Sequence, residues 1–301
     1  MKIIDSFYQS LKKYLSDKTE FNLTDVINKI EKYTKQWQLS QLVFMEKDAY
    51  GLLFTCNSAV YGDSVLKLCL SEPEFETGVN CILSYNGKIY VKIYAYDLKD
   101  YILLMEHVVP GNLMWEIEDY RERAKIFAEL VKDLPILWNC NSKYPTYRTW
   151  MEELRVKLVN LGEREDIIFY LDKALEIYDE LKQTYNQKCL LHGDLHQENM
   201  LLNSKGSYTI IDPKGVIDDP VMETARYLMN ESSLEVEKIR EIIRIISFTV
   251  AIPEKDVTKS MFIDAALGQG WTFDTPFSDP DKFAKEKREA LNLCAFVYGL
   301  L

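Results

Sequence analysis

The sequence predicts an α+β fold in two lobes, an antiparallel-sheet lobe followed by a mostly helical lobe. Three observations predict it. Short apolar runs bounded by turn residues follow one another from Leu42 to Met105, as strands do. From Trp115 onward the apolar residues recur at about 3.6-residue spacing, as helices require. The shift between the two patterns falls near Glu106, in a chain of 301 residues, long enough for two cores. The expected division is therefore 1–106 and 107–301.

In chain order, Ile3, Ile4, Phe7, Leu11, Tyr14 and Leu15 make a helical stripe over residues 3–15. Val26, Ile27, Ile30, Tyr33 and Trp37 make a second. Leu42–Met45, Gly51–Cys56 and Val65–Leu70, separated by the polar turns Glu46–Tyr50 and Tyr61–Ser64, read as a three-strand meander. Ile89–Tyr94 and Tyr101–Met105 add two strands around the polar segment Asp97–Asp100. Helical stripes then run through Ile117–Leu137, Trp150–Leu161 and Ile167–Leu181. After a further hairpin come helices over 234–249, 257–267 and 281–300, with Gly268-Gln269-Gly270-Trp271 read as a break between the last two. No internal repeat or low-complexity linker interrupts this order.

Composition narrows the class of function. Hydrophobic residues make up 47%, which excludes a disordered chain. No apolar run approaches the roughly 20 residues of a membrane-spanning helix. Asp5 stands where a secretory leader would begin its apolar stretch, so the expected location is cytoplasmic. The six cysteines are scattered without metal spacing and read as buried free thiols. A net charge of −11 disfavours nucleic acid as a partner. Most of that charge serves solubility, and it would also draw a cationic small molecule towards an acidic cleft. Neither a membrane nor an obligatory protein partner is expected.

The chemistry concentrates in one stretch. Leu190-Leu191 leads to His192-Gly193-Asp194, and Asn199 follows five residues after Asp194. Met200–Leu202 and Tyr208–Ile211 then form a hairpin turned at Gly206, which returns the chain to Asp212-Pro213-Lys214-Gly215. Two carboxylates and an amide delivered at strand ends suit phosphoryl transfer. One carboxylate orients and deprotonates a hydroxyl, while an amide oxygen and a second carboxylate hold Mg²⁺ against phosphates. The spacing His-x-Asp-x-x-x-x-Asn is that of the protein-kinase catalytic loop.

His-Gly-Asp-Leu-His-x-x-Asn followed by Ile-Asp resembles the aminoglycoside phosphotransferase family, and Asp212-Pro213-Lys214-Gly215 resembles its streptomycin and hydroxyurea branch. The resemblance implies a protein-kinase-like fold with MgATP (or MgGTP) bound between the lobes. It implies that Asp194 is the base and that Asn199 and Asp212 hold Mg²⁺. Lys67, the lone cation in a strand, would grip phosphates, paired with Glu76 or alternatively Glu74. Backbone groups of Glu106 and Val108, ahead of Pro110-Gly111, would bind the base of the nucleotide, and His107 reads as a surface residue beside them. His192, His196 and Glu223 would brace the loop. Lys214, Trp271 and Asp274, with Asp279, are candidate substrate or phosphate contacts.

The family pattern is not matched throughout. Residues 47–51 carry one glycine where protein kinases have Gly-x-Gly-x-x-Gly. Asp218 and Glu223 stand where the family has Gly and Asp. The expected function is a kinase of an aminoglycoside-like antibiotic or hydroxyurea. The alternatives are a metabolic kinase of choline, homoserine or a ketosamine, and a nucleotide-binding pseudokinase.

Overall fold

The computed structural model describes residues 23–45, 51–69, 74–139, 144–162, 165–231, 235–274 and 280–301. The expected helix over 3–15, the turn Glu46–Tyr50 and Asp279 lie outside the described residues. The chain divides into two compact units, one of Met1–Asn112 with Leu201–Ile211, the other of Leu113–Met200 with Asp212–Leu301. The first unit thus runs a few residues beyond Glu106 and takes in the hairpin.

The first unit is built on a five-stranded antiparallel sheet of order β1-β2-β3-β5-β4. Its strands are β1 (Leu39–Met45), β2 (Gly51–Ser58), β3 (Gly62–Cys69), β4 (Ile93–Asp97) and β5 (Ile102–Glu106). Helix α1 (Leu23–Gln36) buries Val26, Ile30 and Tyr33 in one core with Leu52, Phe54, Leu66, Leu68, Ile102 and Leu104. Fully burying each such side chain is worth roughly 1.5–3 kcal/mol, so this face fixes the strand register. The Tyr33 hydroxyl also lies 2.6 Å from the Asp97 carboxylate and 2.8 Å from that of Asp100, tying α1 to the β4–β5 turn. Helix α2 (Phe75–Ser84) supplies Phe75 and Val79 to a second cluster with Leu103.

Strand β4 starts later than the run Ile89–Tyr94 suggests. Tyr90 instead makes a single parallel bridge to Ile210, and the Val91 N–H donates to the Ile210 carbonyl at 2.9 Å. The partner there is the hairpin β9 (Met200–Asn203) and β10 (Tyr208–Ile210), whose sheet has the order β10-β9-β6 with β6 at Pro110–Leu113. Gly206 turns the hairpin at φ +76°, a conformation that favours glycine.

The second unit is mostly helical. Its helices are α3 (Tyr120–Lys132), α4 (Tyr147–Asn160), α5 (Glu165–Lys182), α6 (Ala225–Glu231), α7 (Val236–Val250), α8 (Glu254–Asp274) and α9 (Pro280–Tyr298). A small antiparallel sheet of order β11-β8-β7 joins them, from β7 (Ile136–Leu137), β8 (Cys189–Leu191) and β11 (Val216–Asp218). Helix α8 packs against α4, α5, α6, α7 and α9.

Helix α8 corrects the sequence reading. Gly268-Gln269-Gly270 does not break it; the helix runs unbroken for 21 residues. The glycines answer to space. A Cβ on Gly270 would lie 2.7 Å from Leu154 Cδ2, and one on Gly268 would lie 3.2 Å from Arg226 Nη1. At Gly270, packing against Leu154 of α4 outweighs the roughly 1 kcal/mol that glycine costs inside a helix. Among the described residues no helix is long and apolar enough to cross a membrane.

Candidate active site

In the second unit the functional side chains are delivered by β8 and β11. Both strands are short and their register pairs Val216 with Leu191 and Asp218 with Cys189. Leu190 and Leu191 are fully buried, so the chain emerges from the core directly into His192-Gly193-Asp194. Gly193 has φ +78°, and a Cβ there would meet Val216 Cγ1 at 2.8 Å and Trp150 at 3.1 Å. Only glycine lets the turn pass between those two side chains.

The turn is clamped from below by Glu223. Its carboxylate accepts the His192 N–H at 2.8 Å and the Gly193 N–H at 3.4 Å. The Asp194 N–H donates to His192 Nδ1 at 3.1 Å, and Asn199 Nδ2 donates to the Asp194 carbonyl at 2.9 Å. His196 Nε2 lies 3.2 Å from the same Asn199 amide. The His192 carbonyl accepts the N–H groups of Lys214 and Gly215 at 3.0 and 3.1 Å, which fastens the Asp212–Gly215 turn to the Asp194 turn. Asp212 sits exposed in the left-handed region at φ 57°. Aspartate tolerates that region better than most residues, and such strain gathers at functional sites.

Glu223 is 2% exposed. Burial pushes its carboxyl from the ordinary 4.5 up to about 7, while the two backbone donors pull the other way. A folded-state value above the unfolded one means that the stability held by this group is complete below pH 4.5. It is lost as pH rises through about 7. Glu223→Gln keeps an oxygen for His192 and cannot ionise. Its melting temperature should therefore fall less between pH 4.5 and 7 than that of the parent, by the equivalent of about 3 kcal/mol. Melting both proteins across that window checks this, and parallel slopes would reject it.

Asp194 faces Arg226 of α6, whose Nε lies 3.2 Å from Asp194 Oδ1 and 3.2 Å from Oδ2 of Asp264 on α8. Burial works to raise the Asp194 carboxyl, but Arg226, Lys214, His196 and His192 outweigh it and hold it below the usual range. It is ionised at neutral pH. Burial pushes Asp264 up to about 6, with Arg226 drawing it back. Burial, partly offset by Asp194, lowers the His196 imidazole below 6.5, so it is neutral at pH 7. Trp271 carries Lys214 Nζ at 5.1 Å and the Arg226 guanidinium at 5.8 Å from its ring centre, and it meets Trp150 edge-on at 6.0 Å.

Asn199 and Asp212 offer hard oxygens suited to Mg²⁺. The Asn199 amide nitrogen is committed to the Asp194 carbonyl, leaving its oxygen for a cation. Magnesium takes one or two carboxylates plus phosphate and water, so a carboxylate and an amide oxygen are donors of the right kind.

Asp274 pairs with Lys157 at 2.6 Å. In the first unit Lys67 is 8% exposed, opposite Leu53 and Leu103 on the sheet face that α2 covers. Glu76 lies on the exposed side of α2, whereas Glu74 is half-buried at its N-cap. The Glu106 N–H donates to the Lys92 carbonyl at 2.9 Å, and Val108 is buried. His107 Nδ1 lies 2.9 Å from Asp63.

Sequence reasoning missed Arg226, Asp264 and the task of Asp218. Asp218 is buried and accepts from the Tyr147 N–H, the Tyr178 hydroxyl and Lys182, which knits β11 to α4 and α5. Asp264 left a readable signal, a lone acid inside the apolar run Met261–Leu267.

The family profile described as aminoglycoside/hydroxyurea antibiotic resistance kinase matches residues 36–272. Streptomycin 6-kinase of Streptomyces glaucescens is 21% identical over 213 residues, covering 70% of this chain and 67% of that protein. A choline/ethanolamine kinase family protein from Mesorhizobium loti shares the fold with a TM-score of 0.66 at 14% identity, over 86% of this chain and 88% of that one. An aminoglycoside phosphotransferase in ternary complex with ADP and hygromycin B gives 0.62 at 12% identity, over 89% and 97%. The chain accordingly belongs to the aminoglycoside/hydroxyurea antibiotic resistance kinase family.

Proposed function

We propose that this kinase transfers the γ-phosphate of ATP (or GTP), with Mg²⁺, to a hydroxyl of a small antibiotic-type acceptor. Streptomycin-like aminoglycosides and hydroxyurea are the first candidates. The observation that carries the reading is the ionised Asp194, held on a turn whose backbone is fixed by Glu223, His192 and Asn199. Such a group can align a hydroxyl and take its proton, which a loose phosphoryl-transfer transition state requires late. Asn199 and Asp212 would hold Mg²⁺, which neutralises phosphate charge when bound. Lys67 would contact nucleotide phosphates. As its acid the half-buried Glu74 is favoured over the exposed Glu76, because an exposed carboxylate does little for a buried ammonium. Backbone groups at Glu106 and Val108 would take the base. For Glu106 this leaves the carbonyl, since its N–H is engaged. A cytosolic location suits an enzyme that draws on cellular ATP.

The similarity to streptomycin 6-kinase supports the acceptor class, and the net charge of −11 favours a cationic acceptor. A choline-type acceptor ranks second. The Trp271 ring already carries Lys214 and Arg226, whereas a quaternary ammonium needs an aromatic face to itself.

The test is ADP release from MgATP, with MgGTP in parallel, over streptomycin, other aminoglycosides, hydroxyurea, choline and homoserine. A saturable response to an antibiotic acceptor is expected; a response confined to choline would replace the reading. Asp212→Asn should weaken Mg²⁺-dependent nucleotide binding about tenfold or more, as losing a charged ligand does. An unchanged Mg²⁺ dependence in a titration would remove Asp212 from the metal site.

A further inference from the structure

The side chain of Arg226 is held by three residues on one face of α8. Asp264, Gly268 and Trp271 stand at i, i+4 and i+7 of that helix, one above the other. Asp264 lies 3.2 Å from the guanidinium. Gly268 leaves the space that Nη1 occupies, since a Cβ there would come within 3.2 Å of it. Trp271 presents its ring at 5.8 Å. Asp264 is 1% exposed, and among the described residues neither of its oxygens has a hydrogen-bond partner. A buried carboxylate in that state is costly unless a cation faces it, and the cation that lies against it is Arg226.

Arg226 in turn faces Asp194. The Asp194 backbone is fixed on both sides, by His192 at its N–H and Asn199 at its carbonyl. Those bonds leave the carboxylate free to rotate. Arg226 brings its cation to that carboxylate, with Nε 3.2 Å from Oδ1.

We propose that Arg226 is a positioning residue that sets the orientation of the Asp194 carboxylate, and that Asp264, Gly268 and Trp271 form the cradle that aims Arg226. The inference rests on the reading of Asp194 as the base. It extends that reading from the loop to α8, so that a helix with no part in the motif governs the chemical step.

The experiment measures ADP release from MgATP with streptomycin, and separately with water as the only acceptor, at saturating nucleotide. Arg226→Met should lower turnover about 10- to 100-fold, the scale of a misplaced catalytic group. ATP affinity should stay within about twofold. Arg226→Lys should recover part of the loss. Asp264→Asn should lower turnover alone and have almost no further effect in the Arg226→Met background, because it acts through Arg226.

Gly268→Ala separates positioning from folding. Alanine is the better helix former, so the melting temperature should hold or rise while turnover falls as the new methyl displaces the guanidinium. Unchanged turnover in Arg226→Met or Gly268→Ala would overturn the proposal. So would independent, multiplying losses from Asp264→Asn and Arg226→Met. A rise in turnover in Arg226→Met would mark Arg226 as a brake and overturn it too. Asp194→Asn is the control for the underlying reading. Full activity there, or a parent enzyme silent on water and on every acceptor of the panel above, would take down that reading and this inference with it. A dead Asp194→Asn beside an unaffected Arg226→Met would leave the reading standing and remove only the inference.

Discussion

Asp194→Asn should lower phosphate transfer by roughly 10²- to 10⁴-fold, the range contributed by a positioned general base, while MgATP still binds. Asparagine keeps the size and planar shape of the side chain and removes the charge. The turn itself should persist, because its clamps act on backbone atoms. Glu223 accepts from His192 and Gly193, and Asn199 reaches the carbonyl of residue 194 rather than its carboxylate. Arg226 retains Asp264 as a counter-charge, so the substitution leaves no isolated buried cation. The loss should therefore fall on turnover and not on nucleotide affinity. Where the transition state is loose and the proton moves late, the lower end of the range applies. Single-turnover transfer with bound ATP measures the step directly. A rate within about threefold of the parent would show that another group takes the proton, since removing a working base costs far more than that.

The motif was legible because it is local. His192, Asp194 and Asn199 lie within eight residues, and their strand-turn setting follows from the flanking apolar runs. The helices were legible by period for the same reason. What escaped depends on contacts between distant segments. Arg226 in Thr224-Ala225-Arg226-Tyr227 reads like any helix cation, and only the fold brings it to Asp194 and Asp264. Glycines 268 and 270 read as a break, because the side chains that need the space, Arg226 and Leu154, lie far away in sequence. Lys67 stood out as the lone cation in its strand, but the direction it faces was not legible. Alternation distinguishes a buried face from a wet one, but helices cover both faces of this sheet. A strand with two dry faces carries no such signal, so the burial of Lys67 could not be inferred from its neighbours. The acids near α2 show the limit of spacing alone. Glu74 and Glu76 both precede the apolar stripe, and the position of the cap decides which is exposed.

Glu231→Ala should cost the second unit about 3–5 kcal/mol, the usual penalty for stranding one partner of a buried ion pair. Against a typical stability of roughly 5–15 kcal/mol that is a large share, and a fall in melting temperature of about 10 °C or more should accompany it. Glu231 ends α6 with its side chain fully buried. It takes Arg123 of α3 in a two-point contact, Nε at 2.6 Å and Nη2 at 2.9 Å, and Lys238 of α7 at 3.4 Å. The same carboxylate accepts from Gln197 Nε2 at 3.1 Å. Gln197 is three residues past Asp194, so one buried acid joins three helices to the catalytic loop. That double task can be separated. Replacing the pair by apolar residues of similar size, Arg123→Met with Glu231→Leu, removes both charges and should recover much of the lost stability. Turnover should not recover with it, because Gln197 loses its charged acceptor and keeps only the longer bond to the Tyr227 carbonyl, at 3.3 Å. Thermal melts and turnover measured on the single and double variants distinguish the two effects. Recovery of both together would mean that Glu231 contributes stability alone, and that the bond from Gln197 has no share in holding Asp194.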